Sequence, residues 1–130
     1  MFSKTITPIF CDTDALGHIS NTTIPRWLES ARDPIFQLFT PDMDPKNWAL
    51  IIAKYEINFI AELFYGKDVE IRTTLSKMGN SSLHVRQEIW QTSTLAIKGL
   101  TILIHFDYKS RKSLPIPTTI REKLLEHLQT

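Results

Sequence analysis

From Ile24 the apolar residues Ile24, Trp27, Leu28, Ala31, Ile35, Leu38 and Phe39 recur at spacings of three and four, the mark of one buried helical face. Ser20 or Asn21 stands where a cap is expected, and Pro25 falls in the first turn, where a missing N–H costs little. Pro34 lies well inside the pattern, so the helix should kink near Ala31 or lose a hydrogen bond there; Pro41 closes the segment. Past the loop 40–47 the period changes to two. Ile51, Ala53, Tyr55, Ile57 and Phe59 alternate with Lys54, Glu56 and Asn58, which predicts a strand with those apolar residues on one face. Val69, Ile71, Thr73 and Leu75, then Leu83, Val85, Gln87 and Ile89, repeat the pattern, with turns at Gly66-Lys67-Asp68 and Gly79-Asn80-Ser81.

The run 95–106 differs, because Leu100, Ile102, Ile104 and Phe106 share one face while Leu95, Ile97 and Leu103 share the other. Both faces read as buried, and since one helix cannot cover both, a second subunit is the simplest cover. Thr119-Ile120-Arg121-Glu122 reads as a capping box opening a short helix, with Ile120, Leu124, Leu125 and Leu128 on one side. A short strand is expected over 3–10. One strand, a long helix, four antiparallel strands and a terminal helix make an α+β chain, expected as one domain over 1–130.

Charge then narrows the partners. Fifteen Lys and Arg against fourteen Asp and Glu give a formal charge of +1, so nothing in the whole-molecule balance argues for nucleic acid or membrane, and any anionic ligand must be met locally. No apolar run approaches the roughly 18 residues of a membrane span. Cys11 is the single cysteine, which excludes an intramolecular disulfide framework, and the first residues lack the apolar run of a secretion signal. A cytoplasmic protein is the expectation. The acceptor patterns at Asn21-Thr22-Thr23 and Asn80-Ser81-Ser82 then have no occasion for glycosylation.

The chemistry concentrates in residues 12–21, where two carboxylates, an imidazole and a glycine turn precede the long helix. Asp12, Asp14, Leu16 and Gly17 occupy the first, third, fifth and sixth positions of a calcium loop, but leucine cannot ligate, and Thr23 stands where a bidentate glutamate belongs. Asp12, Asp14 and His18 lack a fourth ligand for a transition metal, so no metal is expected. Two readings of the residues themselves stay open. Either Asp12 and Asp14 shape the turn, with His18 satisfied by a backbone carbonyl, or one aspartate is a base beside a helix N-terminus able to hold a developing oxyanion.

Asp14-Ala15-Leu16-Gly17-His18-Ile19-Ser20-Asn21, continuing through Arg26-Trp27-Leu28-Glu29-Ser30-Ala31-Arg32, resembles the signature of the 4-hydroxybenzoyl-CoA thioesterase-like branch of hot-dog-fold proteins. The likeness extends through Gly66-Lys67-Asp68, 78–83 and Leu114-Pro115-Ile116-Pro117. It implies a long helix wrapped by a curved antiparallel sheet, assembled as a homodimer or homotetramer with acyl-thioester sites at the subunit interface. Asp14 would attack the thioester carbonyl or activate water, and the amide at Asn21 would polarise that carbonyl. His18 would orient Asp14 or the substrate, or be a turn histidine. No cofactor is implied, since coenzyme A belongs to the substrate.

Where many relatives carry tyrosine three residues after the Asn21 position, this chain has Ile24 followed by Pro25, which makes the pocket more apolar. Gly17 and Ile24 are expected to touch substrate near the base. Tyr55 and Phe59 are candidate acyl contacts, although core packing is the commoner fate of Phe36, Phe39, Tyr55, Phe59 and Trp90 at such periodic positions. Lys77 near the hairpin, with Lys109, Arg111 and Lys112 after the last long strand, are candidates for the coenzyme A phosphates, and Ser81 and Ser82 at the hairpin are candidate substrate contacts. The sequence thus reads as an acyl-CoA thioesterase; an acyl-thioester hydratase or dehydratase, or a non-catalytic acyl-CoA binder, are the alternatives on the same fold.

Overall fold

The computed structural model describes residues 1–129. Five long or medium strands, β1 (Phe2–Ile6), β2 (Leu50–Phe59), β3 (Val69–Met78), β4 (Ser82–Gln91) and β5 (Thr94–Asp107), form one antiparallel sheet in the order β1-β3-β4-β5-β2. A two-residue strand, β6 (Lys112–Ser113), pairs with the end of β5. The first strand ends at Ile6, short of the expected 10, and residues Phe10–Asp12 form a 3-10 turn. The curved sheet wraps the helical segment, as the resemblance implies.

That segment is two helices, α1 (Thr23–Ser30) and α2 (Asp33–Phe39), broken where Pro34 made a kink expected. Proline offers no N–H to the carbonyl of Ser30 and its ring collides with that turn. At the break the Arg32 N–H bonds Glu29 O at 3.0 Å, which leaves Leu28 O without its usual partner. The Gln87 side chain of β4 supplies one, donating to Leu28 O at 2.8 Å and to Thr73 Oγ1 at 3.1 Å. Neither Ser20 nor Asn21 is the helix cap. Thr22 occupies that position without a side-chain cap bond, and Ser20 Oγ instead accepts from Thr22 N at 3.2 Å.

Leu28 is fully buried on β5 at Gly99, where a Cβ would meet Leu28 Cδ1 at 3.2 Å. The missing side chain lets helix and sheet approach closely. Around this contact the inward residues Ile71, Ile89 and Ile97 join Ile24, Trp27 and Leu63 in one core cluster. A second cluster gathers Leu75, Leu83, Val85 and Leu103 with Ile35, Phe36, Ile116 and Leu124. Between them lies a polar stripe, Thr73, Gln87 and Thr101, all buried. It receives Arg32, only 1% exposed, whose Nη1 donates to Gln87 Oε1 at 3.2 Å and Thr101 Oγ1 at 3.3 Å. Burial pushes the Arg32 guanidinium below its ordinary value, a shift opposed by nearby Tyr55 and Glu29.

Two readings of the strands change. In 95–106 only the Ile97, Thr101 and Leu103 face is fully buried; Leu100, Ile102 and Ile104 on the convex face are half-buried. In β2 a bulge lies between Ile52 and Lys54, so Ile51 pairs with Ile104 while Ile52 pairs with Leu103 and Tyr55 with Thr101. One inserted residue flips the alternation, and Ile51 therefore faces opposite to Tyr55, Ile57 and Phe59. The last helix, α3 (Thr118–Leu125), starts one residue before Thr119 with Pro117 as cap, so the expected capping box does not form. Leu124 is buried there and Leu125 exposed.

Candidate active site

The loop 13–19 closes on itself before α1. Thr13 and Ile19 form an isolated bridge, Asp14 N donates to His18 O at 2.9 Å, and Gly17 takes a φ of +89° that side-chain-bearing residues rarely adopt. Within this loop Asp14 Oδ1 accepts from Leu16 N at 2.9 Å and His18 N at 3.3 Å. One carboxylate oxygen therefore holds the turn and fixes the group, while Oδ2 accepts no hydrogen bond from the described residues.

Asp12 behaves differently. It is buried, its Oδ2 accepts from Ile9 N at 2.9 Å, its backbone carbonyl accepts from Ser20 N and Thr23 Oγ1, and Arg26 approaches Oδ1 at 3.9 Å. It ties the loop to the start of α1. His18 is not satisfied by a backbone carbonyl. Its Nδ1 lies 3.8 Å from Asp14 Oδ2 and its Nε2 lies 3.4 Å from Glu62 Oε1, with the Phe64 ring edge-on at 6.2 Å.

These groups open on a cavity of about 430 Å³ between the loop, the start of α1, the end of β2 and the segment that follows it. Asp14, His18, Asn21 and Glu62 supply its polar wall, and Ile24, Phe59, Leu63 and Ile97 are part of its apolar one. Phe59 is 57% exposed, so it is an open pocket wall and not core. Along the start of α1, Thr22 N and Thr23 N are engaged by Ser20 and Pro25 has no N–H. The amides of Asn21 and Ile24 are the remaining donors on the cavity side.

Gly17 shapes the turn without lining the cavity. Tyr55 sits further along β2, its ring 5.7 Å from the Arg32 guanidinium, and burial raises its phenol against the lowering effect of that arginine. Phe36 is core, while Trp90 stacks under Arg72 at 4.7 Å, away from the cavity. Lys77, Ser81 and Ser82 are not brought to the cavity within one chain. Ser82 is level with Ile104, seven residues along β5 from Ile97, or about 23 Å. Lys109, Arg111 and Lys112 lie beyond that same end.

Sequence reading missed Glu62 and the apolar Ile60, Ala61 and Leu63. They follow β2 in a stretch without periodicity, and only the fold carries it over: Ile60 N and Ala61 N both donate to Ala96 O, and Ile19 N donates to Leu63 O at 2.8 Å. Among the described residues no group of three or more His, Cys, Asp or Glu side chains is arranged to hold a metal ion, and no helix is long and apolar enough to cross a membrane.

The model of the thioesterase-like superfamily matches residues 10–124, a span that contains the whole site. The chain belongs to this superfamily. Its fold is that of a predicted thioesterase from Bacillus stearothermophilus, 40% identical, with a TM-score of 0.95 over 99% of this chain and 97% of that one. It is also similar to a thioesterase from Thermus thermophilus solved with coenzyme A and zinc, 26% identical, at TM-score 0.84 over 95% and 91% of the two chains. A 1,4-dihydroxy-2-naphthoyl-CoA thioesterase from Synechocystis, at 18% identity, shares the fold at TM-score 0.82 over 96% of each chain. No curated protein matches the chain. The chain is thus a hot-dog-fold member of a thioesterase superfamily.

Proposed function

We propose that the protein hydrolyses acyl-CoA thioesters to the free acid and coenzyme A, with Asp14 as base or nucleophile. The observation that carries this reading is the divided carboxylate of Asp14: Oδ1 is held by two backbone N–H groups, Oδ2 by none, and the residue lines a cavity at the start of α1 beside Ile24, Phe59, Leu63 and Ile97. A thioester carbonyl seated against the amides of Asn21 and Ile24 would develop its negative charge on those donors and the positive end of α1. As general base, Asp14 takes a proton from water while the water oxygen bonds the carbonyl carbon. The carbon–sulfur bond then breaks, and the departing thiolate takes the proton from Asp14. As nucleophile, the Asp14 carboxylate bonds the carbonyl carbon and expels the thiolate, and water opens the resulting anhydride to the free acid, restoring the carboxylate and releasing the proton that the thiolate takes.

The reading extends to a second copy of the chain. β2 is an edge strand whose concave face leaves Ile52, Tyr55 and Phe59 exposed. Such an edge invites pairing. A two-fold axis through the middle of β2 would set the Trp48 to Leu50 end of one copy against the Phe59 end of the other. The basic and hairpin residues of one chain would then approach the cavity of its neighbour, where Lys77, Ser81, Ser82, Lys109, Arg111 and Lys112 become candidates for the coenzyme A phosphates. The similarity to a thioesterase solved with coenzyme A supports this ligand class.

The test is a panel from acetyl-CoA to palmitoyl-CoA with benzoyl-CoA, read by thiol release. Turnover on one or more members that is lost in Asp14→Asn supports the proposal. Binding of a panel member without thiol release by the native protein would favour a non-catalytic binder, and near-native turnover in Asp14→Asn would remove Asp14 from the mechanism.

A further inference from the structure

The imidazole of His18 stands between two carboxylates, those of Asp14 and Glu62. Glu62 is carried on backbone clamped from both sides. Ile60 and Ala61 donate to Ala96 O on β5, Leu63 O accepts from Ile19 N of the catalytic loop, and the Leu63 side chain is 3% exposed. The Glu62 carboxylate, though 61% exposed, is thus delivered to within 3.4 Å of His18 Nε2. This is the closer of the ring's two carboxylate contacts, the other being 3.8 Å between Nδ1 and Asp14 Oδ2, and both are longer than a usual hydrogen bond.

We propose that Glu62 is a positioning residue for the thioester hydrolysis: it accepts the Nε2–H of His18, and so holds the ring with Nδ1 as an acceptor facing Asp14 Oδ2. A neutral imidazole carries one N–H, and the hydrogen bond at one nitrogen fixes the role of the other. Two acceptors 3.8 Å apart, Nδ1 and Oδ2, can each take one hydrogen of the same water. Both O–H bonds are then aimed into the protein and the oxygen lone pairs are left for the carbonyl carbon. When that oxygen bonds the carbon, one proton passes to Asp14 and returns to the departing thiolate; His18 gains and loses none. Glu62 also lines the cavity; in this role it acts on the attacking water through the ring.

This inference rests on the thioesterase reading, and its test separates the two. Glu62→Ala is expected to lower kcat roughly tenfold with KM unchanged, Glu62→Gln to restore it to within about threefold through its amide oxygen, and Glu62→Ala to have no further effect on kcat once His18 is already alanine. Independent of any substrate, nitrogen NMR of histidine-labelled protein, at a pH about two units above the ordinary imidazole value, should show the His18 Nε2 resonance moving in Glu62→Ala while His84, His105 and His127 stay in place. An additive effect of Glu62→Ala in the His18→Ala background, or an unmoved His18 resonance, would overturn the role of Glu62. Loss of the Asp14 reading instead appears as hydrolysis that survives Asp14→Asn, and the NMR arm still scores the Glu62 to His18 link in that event.

Discussion

At the scale of single residues, the site turns on oxygen atoms with separate duties. Asp14→Asn keeps a carbonyl oxygen to accept from Leu16 N and His18 N, so the loop should survive while basicity and nucleophilicity are lost. We expect turnover on the best acyl-CoA to fall about 100-fold or more, the scale of a general base, with the circular dichroism spectrum unchanged. Asn21 differs. It lines the cavity but caps nothing, since Ser20 accepts from Thr22 N. Asn21→Ala should therefore leave urea-unfolding stability within about 0.5 kcal/mol, the usual range for a surface change, whereas Ser20→Ala, which removes the acceptor of Thr22 N, should cost about 0.5–1.5 kcal/mol, the scale of one hydrogen bond. A loss above about 1 kcal/mol in Asn21→Ala would return the capping role to it.

At the scale of elements, α1 is held to the sheet by an apolar contact and a polar one. Leu28 fills the space over Gly99, and its removal should destabilise the fold by about 2–5 kcal/mol in a denaturant titration, as large-to-small core changes do. The C-terminal tail makes a different attachment. Leu75 N donates to His127 O, Gln129 N donates to Leu75 O, and the His127 ring stacks on Phe2 at 3.7 Å. Burial, then the N-terminal ammonium, holds His127 below its ordinary value of 6.5, with Glu126 opposing. A depressed histidine lends stability above its unfolded value and withdraws it as pH falls through the folded one. The melting temperature should thus drop from about pH 7 to about pH 5, across the histidine range, by more in the native chain than in His127→Phe. Equal drops would show that His127 contributes nothing.

At the scale of the whole molecule, the open edge at β2 predicts assembly. The chain should sediment as a dimer or larger at micromolar concentration, and Ile52→Lys, a charge on the exposed concave face, should shift it toward monomer and reduce turnover with it. A fully active monomer would refute both the assembly and a site shared between copies.

Much of this protein was legible in its sequence for a simple reason: local backbone geometry converts spacing into faces. Three-and-four spacing gave α1 and α2, Pro34 marked their break, and period-two runs located β2 to β5 within a residue or a few. The motif 14–21 pointed to the loop at the cavity, because its parts are close in sequence and their hydrogen bonds are short-range. What only the tertiary structure decided depends on contacts between distant residues. Arg32 finds Gln87 and Thr101 across the sheet, a pairing that polar residues at inward strand positions hint at without naming. The bulge beside Ile52 reverses a face by one residue, which alternation cannot foresee. Glu62 reaches His18 because Ala96 and Ile19 hold its segment. Spacing along the chain fixes which way a side chain points from its own element; which side chain it meets is set by the packing of elements, where a shift of one residue or a few ångströms changes the partner.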